Sequence, residues 1–589
     1  MSQLANLKSA TTRKELAVLL GYNPASLTAI IYKTPTALKY TEFEIDKKSG
    51  GKRTIKVPIP KLKKLQSHLS HLLYQCLEEI EKDRTARPIS FGFRKGRSIV
   101  ENAARHKRHR WVLNLDLENF FPAFNFGRVR GYFLKDKNFE LNTEVATTIA
   151  QIACDGTALP QGSPCSPVIS ELIAQILDMR LVRLAKEFGV TYSRYADDIT
   201  FSTSQKKFPN ALASVDTANP AIWHLSEKLV GKIVNSGFTI NSEKTRMHFR
   251  GSRQMVTGLV VNEKVNIRSE YYRRSRAMCD ALFRTGEYFK SKIQSGDAGE
   301  EQKPELTSNL NPLEGILSYV YAVTQSEERR DVQQQRQKPR AIRTLYRRFL
   351  FYKYFVALNA PLIVTEGKTD PIYLREAVKI RTKFHPELGA TIEKEFHHSV
   401  RYFNYSGLAH EILDLGGGTG DLRSIVIDYL KNLKPSKSSH KAIAHLPMKH
   451  PVIIVLDNDD GLKDIAGFVK KKFDVSIDLN SKSDFYHVTD NLYIVKTLEN
   501  GKKGSCIEDL FPKALLETKL NEKKFNPASK IDPNTEYSKE VFAKSVVKAN
   551  AGKIDFSGFD PLLDRMCKVI QHYSHRVSAM PTPSLSLKN

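Results

Sequence analysis

Asp197 and Asp198 are neighbours in the stretch Ser193 to Ser202. Aromatic and β-branched residues flank the pair, which predicts a hairpin with the acids at its tip. Adjacent strand residues point to opposite faces, so two neighbouring carboxylates can converge on one cation only at a turn. A third acid, Asp116, closes the apolar run that begins at Trp111. Between them lies Leu159-Pro160-Gln161-Gly162-Ser163-Pro164, a Gly/Pro turn ahead of an apolar helical run. Carboxylates gathered in one place are tolerable only with cations beside them. Acids around divalent cations suit in-line displacement at phosphorus. An isolated Asp-Asp pair reads as a solvated hairpin tip; the ordered set of three carries the chemistry.

The elements that must position these acids can be read outward from them. The order of the three stretches resembles motifs A, B and C of reverse transcriptases. That resemblance implies a right-hand fold of fingers, palm and thumb, with Asp116 and Asp197 binding two Mg2+ ions and Asp198 supporting them. Upstream, residues 1–40 read as helical and 41–60 as a hairpin with a basic turn from Lys47 to Arg53. By the resemblance this is the fingers hairpin, and Arg53 would reach the triphosphate of a deoxynucleoside triphosphate, since a guanidinium clamps phosphate oxygens bidentately. Leu62 to Glu81 reads as an amphipathic helix. Phe121, five residues after Asp116, would block a 2′-hydroxyl and select deoxynucleotides, although Phe120 beside it competes for the same face. Gln161 would orient template and nucleotide, and Lys244, in Phe238 to Thr245, would assist the leaving pyrophosphate.

Two further stretches narrow the family. Asn102-Ala103-Ala104-Arg105-His106 and Val256-Thr257-Gly258 each match a signature of retron reverse transcriptases, in its expected place. The resemblance implies that Asn102, His106, Val256, Thr257 and Gly258 take part in recognising a partner non-coding RNA. It also implies priming from a guanosine 2′-hydroxyl within that RNA, a branched multicopy single-stranded DNA product that stays bound, and a role in anti-phage defence.

Charge is distributed to match. The 589 residues carry a net charge of +27. Residues 1–355 hold 57 basic and 35 acidic residues, a net of +22; the remainder holds 34 and 29, a net of +5. A polyanion is therefore expected on the N-terminal part. Arginines from Arg329 to Arg348, among them Arg336, Arg343 and Arg347, form a stripe that would bind duplex phosphates or else face solvent. Six cysteines, at 76, 154, 165, 279, 506 and 567, form no CxxC pair and suggest buried thiols in a reducing compartment. No apolar run reaches membrane-spanning length and no signal-peptide pattern opens the chain, so a bacterial cytoplasmic protein without membrane contact is expected.

From Pro361 the pattern changes to alternating strands and helices. One buried strand ends at Glu366, with Asp370 four residues on; another, Pro451 to Leu456, runs into Asp457-Asn458-Asp459. Acids at the carboxyl ends of parallel strands lie where α/β sheets place their sites. The ordered pair resembles the Toprim site of topoisomerases, primases and overcoming-lysogenization-defect nucleases. That implies a Rossmann-like domain using Mg2+ or Mn2+ for phosphodiester cleavage, with Glu508 and Lys539 joining it. Ile412 to Gly420 resembles the first motif of adenosylmethionine-dependent methyltransferases, but is read as a Gly-rich strand and turn of the Toprim order.

The expected organisation is a multidomain chain of α+β and α/β parts. Residues 1–355 form the reverse transcriptase, 356–575 a Toprim nuclease-like effector, and 576–589 a disordered tail. The alternatives are a catalytically silent Toprim platform for the RNA–DNA hybrid, or a mobile-intron polymerase, whose basic maturation region and His/Asn endonuclease are not visible. Homo-oligomerisation is left open.

Overall fold

The computed structural model describes residues 2–46, 51–82, 89–290, 305–434, 441–498, 504–528 and 530–579. Two compact units are present. The first comprises Met1–Tyr272, Ser291–Pro304 and Ala322–Arg329; the second comprises Arg273–Lys290, Glu305–Tyr321 and Arg330–Asn589. The expected break at residue 355 falls inside the second unit. Among the described residues no helix is long and apolar enough to cross a membrane.

In the first unit, strand Trp111–Glu118 is central to an antiparallel sheet. It pairs with Asp198–Thr203, which pairs in turn with Thr191–Tyr195. Thr239–Ile240 and Arg246–Phe249 pair with it as well. Period-2 alternation divides its side chains. Leu113, Leu115 and Leu117 enter the main core, together with Ile169, Leu172, Ile173 and Leu177 of helix Ser166–Glu187 and Leu65, Leu69 and Leu73 of helix Pro60–Glu81. Asn114 and Asp116 alternate with these leucines. The expected hairpin is present as strands Tyr40–Asp46 and Lys52–Pro58; residues 47–50 of its basic turn lie outside the described residues.

The second unit is built on a five-stranded sheet in the order Arg401–Tyr402, Leu362–Thr365, Val452–Leu456, Leu492–Lys496, Tyr486–Thr489. The first four strands are parallel and the last is antiparallel. One face packs Ile363, Ile453, Val455 and Val495 with Leu374 of helix Asp370–Arg381 and Leu562, Leu563 and Met566 of helix Asp560–Ala579. That last helix continues through 576–579, where disorder was expected; 580–589 lie outside the described residues.

Two expectations about this unit are corrected. Residues 412–420 contain no strand: helix Gly407–Leu413 ends at Asp414, which is left-handed at φ +60°, and a glycine turn leads into helix Thr419–Leu433. A methyltransferase-type loop, which follows a strand, is therefore not formed. The arginine stripe neither faces solvent nor is left free for phosphates at three of its positions. Arg336 and Arg343 meet Asp414 Oδ1 at 2.8 and 3.0 Å, and Arg347 pairs with Asp414 Oδ2 and, at 2.9 Å, with Asp428. Three guanidiniums thus converge on one carboxylate at a helix end. Asp414→Asn keeps a residue that tolerates the left-handed conformation but removes the charge. It should destabilise the protein by about 2 kcal/mol, less than removing one partner of a fully buried pair costs because Asp414 is partly exposed. A thermal unfolding midpoint equal to wild type would show that these pairs contribute nothing.

Candidate active sites

The palm carboxylates are brought together by strand register. Asp116 lies directly opposite Asp198, and Tyr195 opposite the same residue closes a two-residue turn of Ala196 and Asp197. Ala196 has φ +55°, a conformation L residues seldom adopt. The Leu117 N–H donates to the Asp197 carbonyl at 3.0 Å, and the Asn241 N–H to the Asp116 carbonyl at 2.8 Å, so main chain pins both acids. Burial, then the charges of Asp197 and Asp116, push the Asp198 carboxyl up to about 7. Asp197 is raised chiefly by burial, against which Lys244 and Arg53 act. Lys244 Nζ stands 3.1 Å from both Asp116 oxygens. Among the described residues no three carboxylate, imidazole or thiol groups already stand as a metal cage. The donor set nevertheless fits divalent cations: it is all hard oxygen, and its negative charge exceeds the cations beside it.

The surrounding positions resolve as follows. Phe120 turns into the core, where its ring stacks on Phe238 at 5.9 Å and meets Phe124 edge-on at 5.0 Å. Phe121 is left half-buried against Phe93, centroids 5.9 Å apart, so of the two rings Phe120 is the one taken by the core. Gln161 offers its carbonyl to the Lys56 N–H at 2.8 Å, which seats the Gln-Gly-Ser-Pro turn on the hairpin that carries Arg53. Gly162 is required there: φ is +124°, and a Cβ would stand 2.6 Å from the Lys56 carbonyl.

In the second unit, Glu366 and Asp457 follow adjacent parallel strands paired Thr365 to Val455. The Asp457 N–H approaches Glu366 Oε2 at 3.4 Å, and Asp457 Oδ1 accepts from the Ile507 N–H at 2.9 Å. A bridge between Asn458 and Ser505 brings the turn Ile507–Leu510, and with it Glu508, to the same strand ends. Burial, then Asp370, Glu366 and Glu508, push Asp457 up to about 8. Asp370 rises to about 6, chiefly by burial, although the Gly367 N–H bonds it at 2.7 Å. Both Glu508 carboxylate oxygens are buried: Lys539 Nζ stands 3.0 Å from Oε1 as counter-charge, and Oε2 has no hydrogen-bond donor. An unpartnered buried oxygen beside raised carboxyls fits a cation site. Asp459 Oδ1 accepts from the Gly461 N–H at 2.8 Å, in the turn that precedes helix Leu462–Phe473.

Residues 45–268 match the family model of reverse transcriptase, RNA-dependent DNA polymerase. The Retron Mx162 reverse transcriptase of Myxococcus xanthus is 35% identical over 276 residues, 44% of this chain and 54% of that protein. The Retron Mx65 enzyme of the same organism is 31% identical over 56% of this chain and 72% of its own length. The Retron Ec86 reverse transcriptase of Escherichia coli is 32% identical over 52% of this chain and 82% of its own. The chain belongs to the retron reverse transcriptases. Apo telomerase of Candida tropicalis, at 14% identity, a TM-score of 0.30, and coverage of 54% of this chain and 57% of its own, is too slight a likeness to bear on fold or function. The palm acids and both retron signatures fall inside the matched span; the acids of the second unit fall outside it.

Within this retron reverse transcriptase the first signature is buried and the second exposes only its turn. Asn102 and His106, expected to touch RNA, are buried. The Ser193 hydroxyl donates to Asn102 Oδ1 at 2.5 Å, His106 Nε2 lies 2.7 Å from Ser193 Oγ, and His106 Nδ1 lies 2.6 Å from Ser202 Oγ. One imidazole thus ties both strands of the catalytic hairpin from behind. Val256 is buried too. Thr257 and Gly258 form a two-residue hairpin turn with φ +45° and +82°, both left-handed as the turn requires. The Thr257 hydroxyl donates to the Ile99 carbonyl at 3.3 Å, at the start of the helix Ile99–Ala104 that carries Asn102. Of the five signature residues only the Thr257-Gly258 tip reaches solvent. Ser193, Ser202, Asn114 and Arg194 were missed. Asn114 Nδ2 donates to the Met255 carbonyl at 2.7 Å and its Oδ1 accepts from Thr200 at 3.0 Å, joining the signature turn to the catalytic strands. The available signal was strand alternation, which puts Ser193 on the face opposite Tyr192 and Arg194.

Burial holds the His106 pKa at about 3, far below its ordinary 6.5. Folded His106 refuses a proton that the unfolded chain accepts. Its contribution to stability is therefore complete above pH 6.5 and declines by about 1.4 kcal/mol per pH unit as pH falls toward 3. Urea unfolding at pH 7.5 and 5.5 should show a larger drop for wild type than for His106→Asn. Equal drops would mean that the imidazole titrates freely.

Proposed function

We propose that this protein is an RNA-directed DNA polymerase that copies a structured non-coding partner RNA, and that its second unit carries a metal-dependent phosphodiesterase acting as effector. The observation that supports the first part is the register that sets Asp116 opposite Asp198 with Asp197 in the turn between paired strands. Asp116, Asp197 and Asp198 would hold two Mg2+ ions, which when bound supply Lewis acidity at the attacking hydroxyl and at the triphosphate. The protein's own groups do the rest. Arg53 and Lys244 bring positive charge to the triphosphate and to the leaving pyrophosphate. Phe121 excludes a 2′-hydroxyl, and Gln161 seats the turn over which template and nucleotide lie. The primer is a guanosine 2′-hydroxyl of the partner RNA, deoxynucleoside triphosphates are the substrates, and a branched RNA–DNA molecule is the product. Asp197→Asn should lower DNA synthesis on the co-purified RNA by about a thousandfold or more while the RNA stays bound, since charge is lost where it is needed only in the transition state. Extension at the wild-type rate would refute the assignment.

The second part is supported by Glu366, Asp370, Asp457 and Glu508 meeting around strand ends with Lys539 beside them. These acids would hold Mg2+ or Mn2+, which when bound supplies an activated water for phosphodiester cleavage. Lys539 would keep positive charge next to the phosphate. Fusion in one chain keeps the effector at high local concentration around the DNA product, which suits restraint by that product and release on phage infection in the bacterial cytoplasm. The double variant Glu366→Ala, Asp457→Ala should make branched DNA at the wild-type level yet lose both growth arrest and phage protection. Full protection by that variant at normal expression would favour a silent platform instead.

A further inference from the structure

Arg194 is among the largest fully buried side chains in the molecule and sits three residues before Asp197. A guanidinium removed from water costs several kcal/mol unless its donors are met, and all five of its N–H groups have acceptors here. Nε and Nη2 donate to the two Asp178 oxygens at 2.8 Å each. Nη1 and Nη2 donate to the two Glu171 oxygens at 2.7 and 3.2 Å. Nη1 also donates to the Ala196 carbonyl at 3.0 Å. Glu171 and Asp178 lie two turns apart on helix Ser166–Glu187, so one face of that helix receives the whole fork. Their remaining capacity is met as well. The Tyr192 hydroxyl donates to Asp178 at 2.7 Å, and Ser90 and Arg94 donate to Glu171 at 2.6 and 3.2 Å.

The bond to Ala196 is the one that a purely structural ion network would not need. It holds the peptide between Ala196 and Asp197 from the carbonyl side, in a turn whose backbone is left-handed at a residue with a Cβ. Gly92 lies against the amide side of the same turn. The segment Ile89 to Phe91 runs along Arg194 through main-chain bonds of 2.9 Å in both directions, and a Cβ on Gly92 would stand 2.3 Å from the Ala196 nitrogen. The segment Ser90 to Ser98, to which the sequence assigns no task, thus abuts the catalytic turn.

We propose that Arg194 and Gly92 are positioning residues that together fix the two peptides flanking Ala196 and so fix where the Asp197 carboxylate stands, Arg194 by transmitting the rigid helix Ser166–Glu187 to the Ala196-Asp197 peptide and Gly92 by leaving room for the Tyr195-Ala196 peptide. The inference rests on the polymerase reading. Arg194→Lys keeps a cation but cannot supply the fork; Gly92→Ala leaves the ion network whole and crowds the turn alone. Each full-length variant is to be assayed beside wild type and Asp197→Asn for kcat, for KM of the deoxynucleotide, for the Mg2+ concentration giving half-maximal rate, and for thermal midpoint. Displacing a reacting group by an ångström costs about a hundredfold. The expected result is a fall in kcat of at least about tenfold in both variants, a raised Mg2+ requirement, and a nucleotide KM within about threefold of wild type, the pattern of a contact realised only in the transition state. If Arg194→Lys does not fold, Gly92→Ala carries the test. Wild-type kcat per folded molecule in Gly92→Ala, or in both, with Asp197→Asn inactive, would overturn the clamp alone. An inactive wild-type enzyme would overturn the polymerase reading and the clamp with it.

Discussion

Three like charges must be held at one end of a sheet, and the catalytic half of the molecule is arranged around that demand. Asp116 and Asp198 face each other across paired strands, where side chains stand closest, and burial raises the cost of their repulsion further. The fold answers with rigidity. Both sides of the hairpin are occupied by polar side chains whose hydrogen bonds are met: His106 and Asn102 behind, Glu171 and Asp178 on the helix in front. A hairpin packed only by apolar contacts could twist to part its acids; one fastened by directional bonds on both faces cannot do so without leaving buried donors unpaired.

The second unit meets the same demand with different means. Its acids come from the ends of separate parallel strands and from a turn brought in by a single bridge, so no one hairpin sets their spacing. The field is shared among four carboxylates and one ammonium, and burial together with that field raises Asp457 and Asp370. Arg343 and Arg347 of helix Ala341–Phe351 are turned inward to Asp414 and Asp428, so they serve the cohesion of this unit.

Much of this was legible in the sequence because the signals were local. The Asp-Asp turn, the strand carrying Asp116 and the alternation of strands and helices after Pro361 are all patterns of adjacent residues, and the fold contains each of them. What could not be read was which polar side chains are buried. Asn102 and His106 look like recognition residues because both are chemically versatile; only the facing serines, about ninety positions away, show that they are occupied. The arginine stripe reads as open to phosphates or to solvent because its partner, Asp414, sits in a glycine-rich stretch whose pattern suggests a strand. A short helix ending in a left-handed residue leaves the same composition as a strand and turn, and tertiary context decides between them.

Thr257 occupies a backbone conformation that a β-branched residue resists, and its hydroxyl is bonded to the helix that leads to Asn102 and His106. The two stretches that mark this family, some 150 positions apart, are therefore one folded object. Exchanging either stretch between relatives would break a shared joint, whereas exchanging both, with Asn114 and the two serines, would carry the joint along. Recombination among these enzymes should accordingly have kept the span from Ile99 to Val260 together.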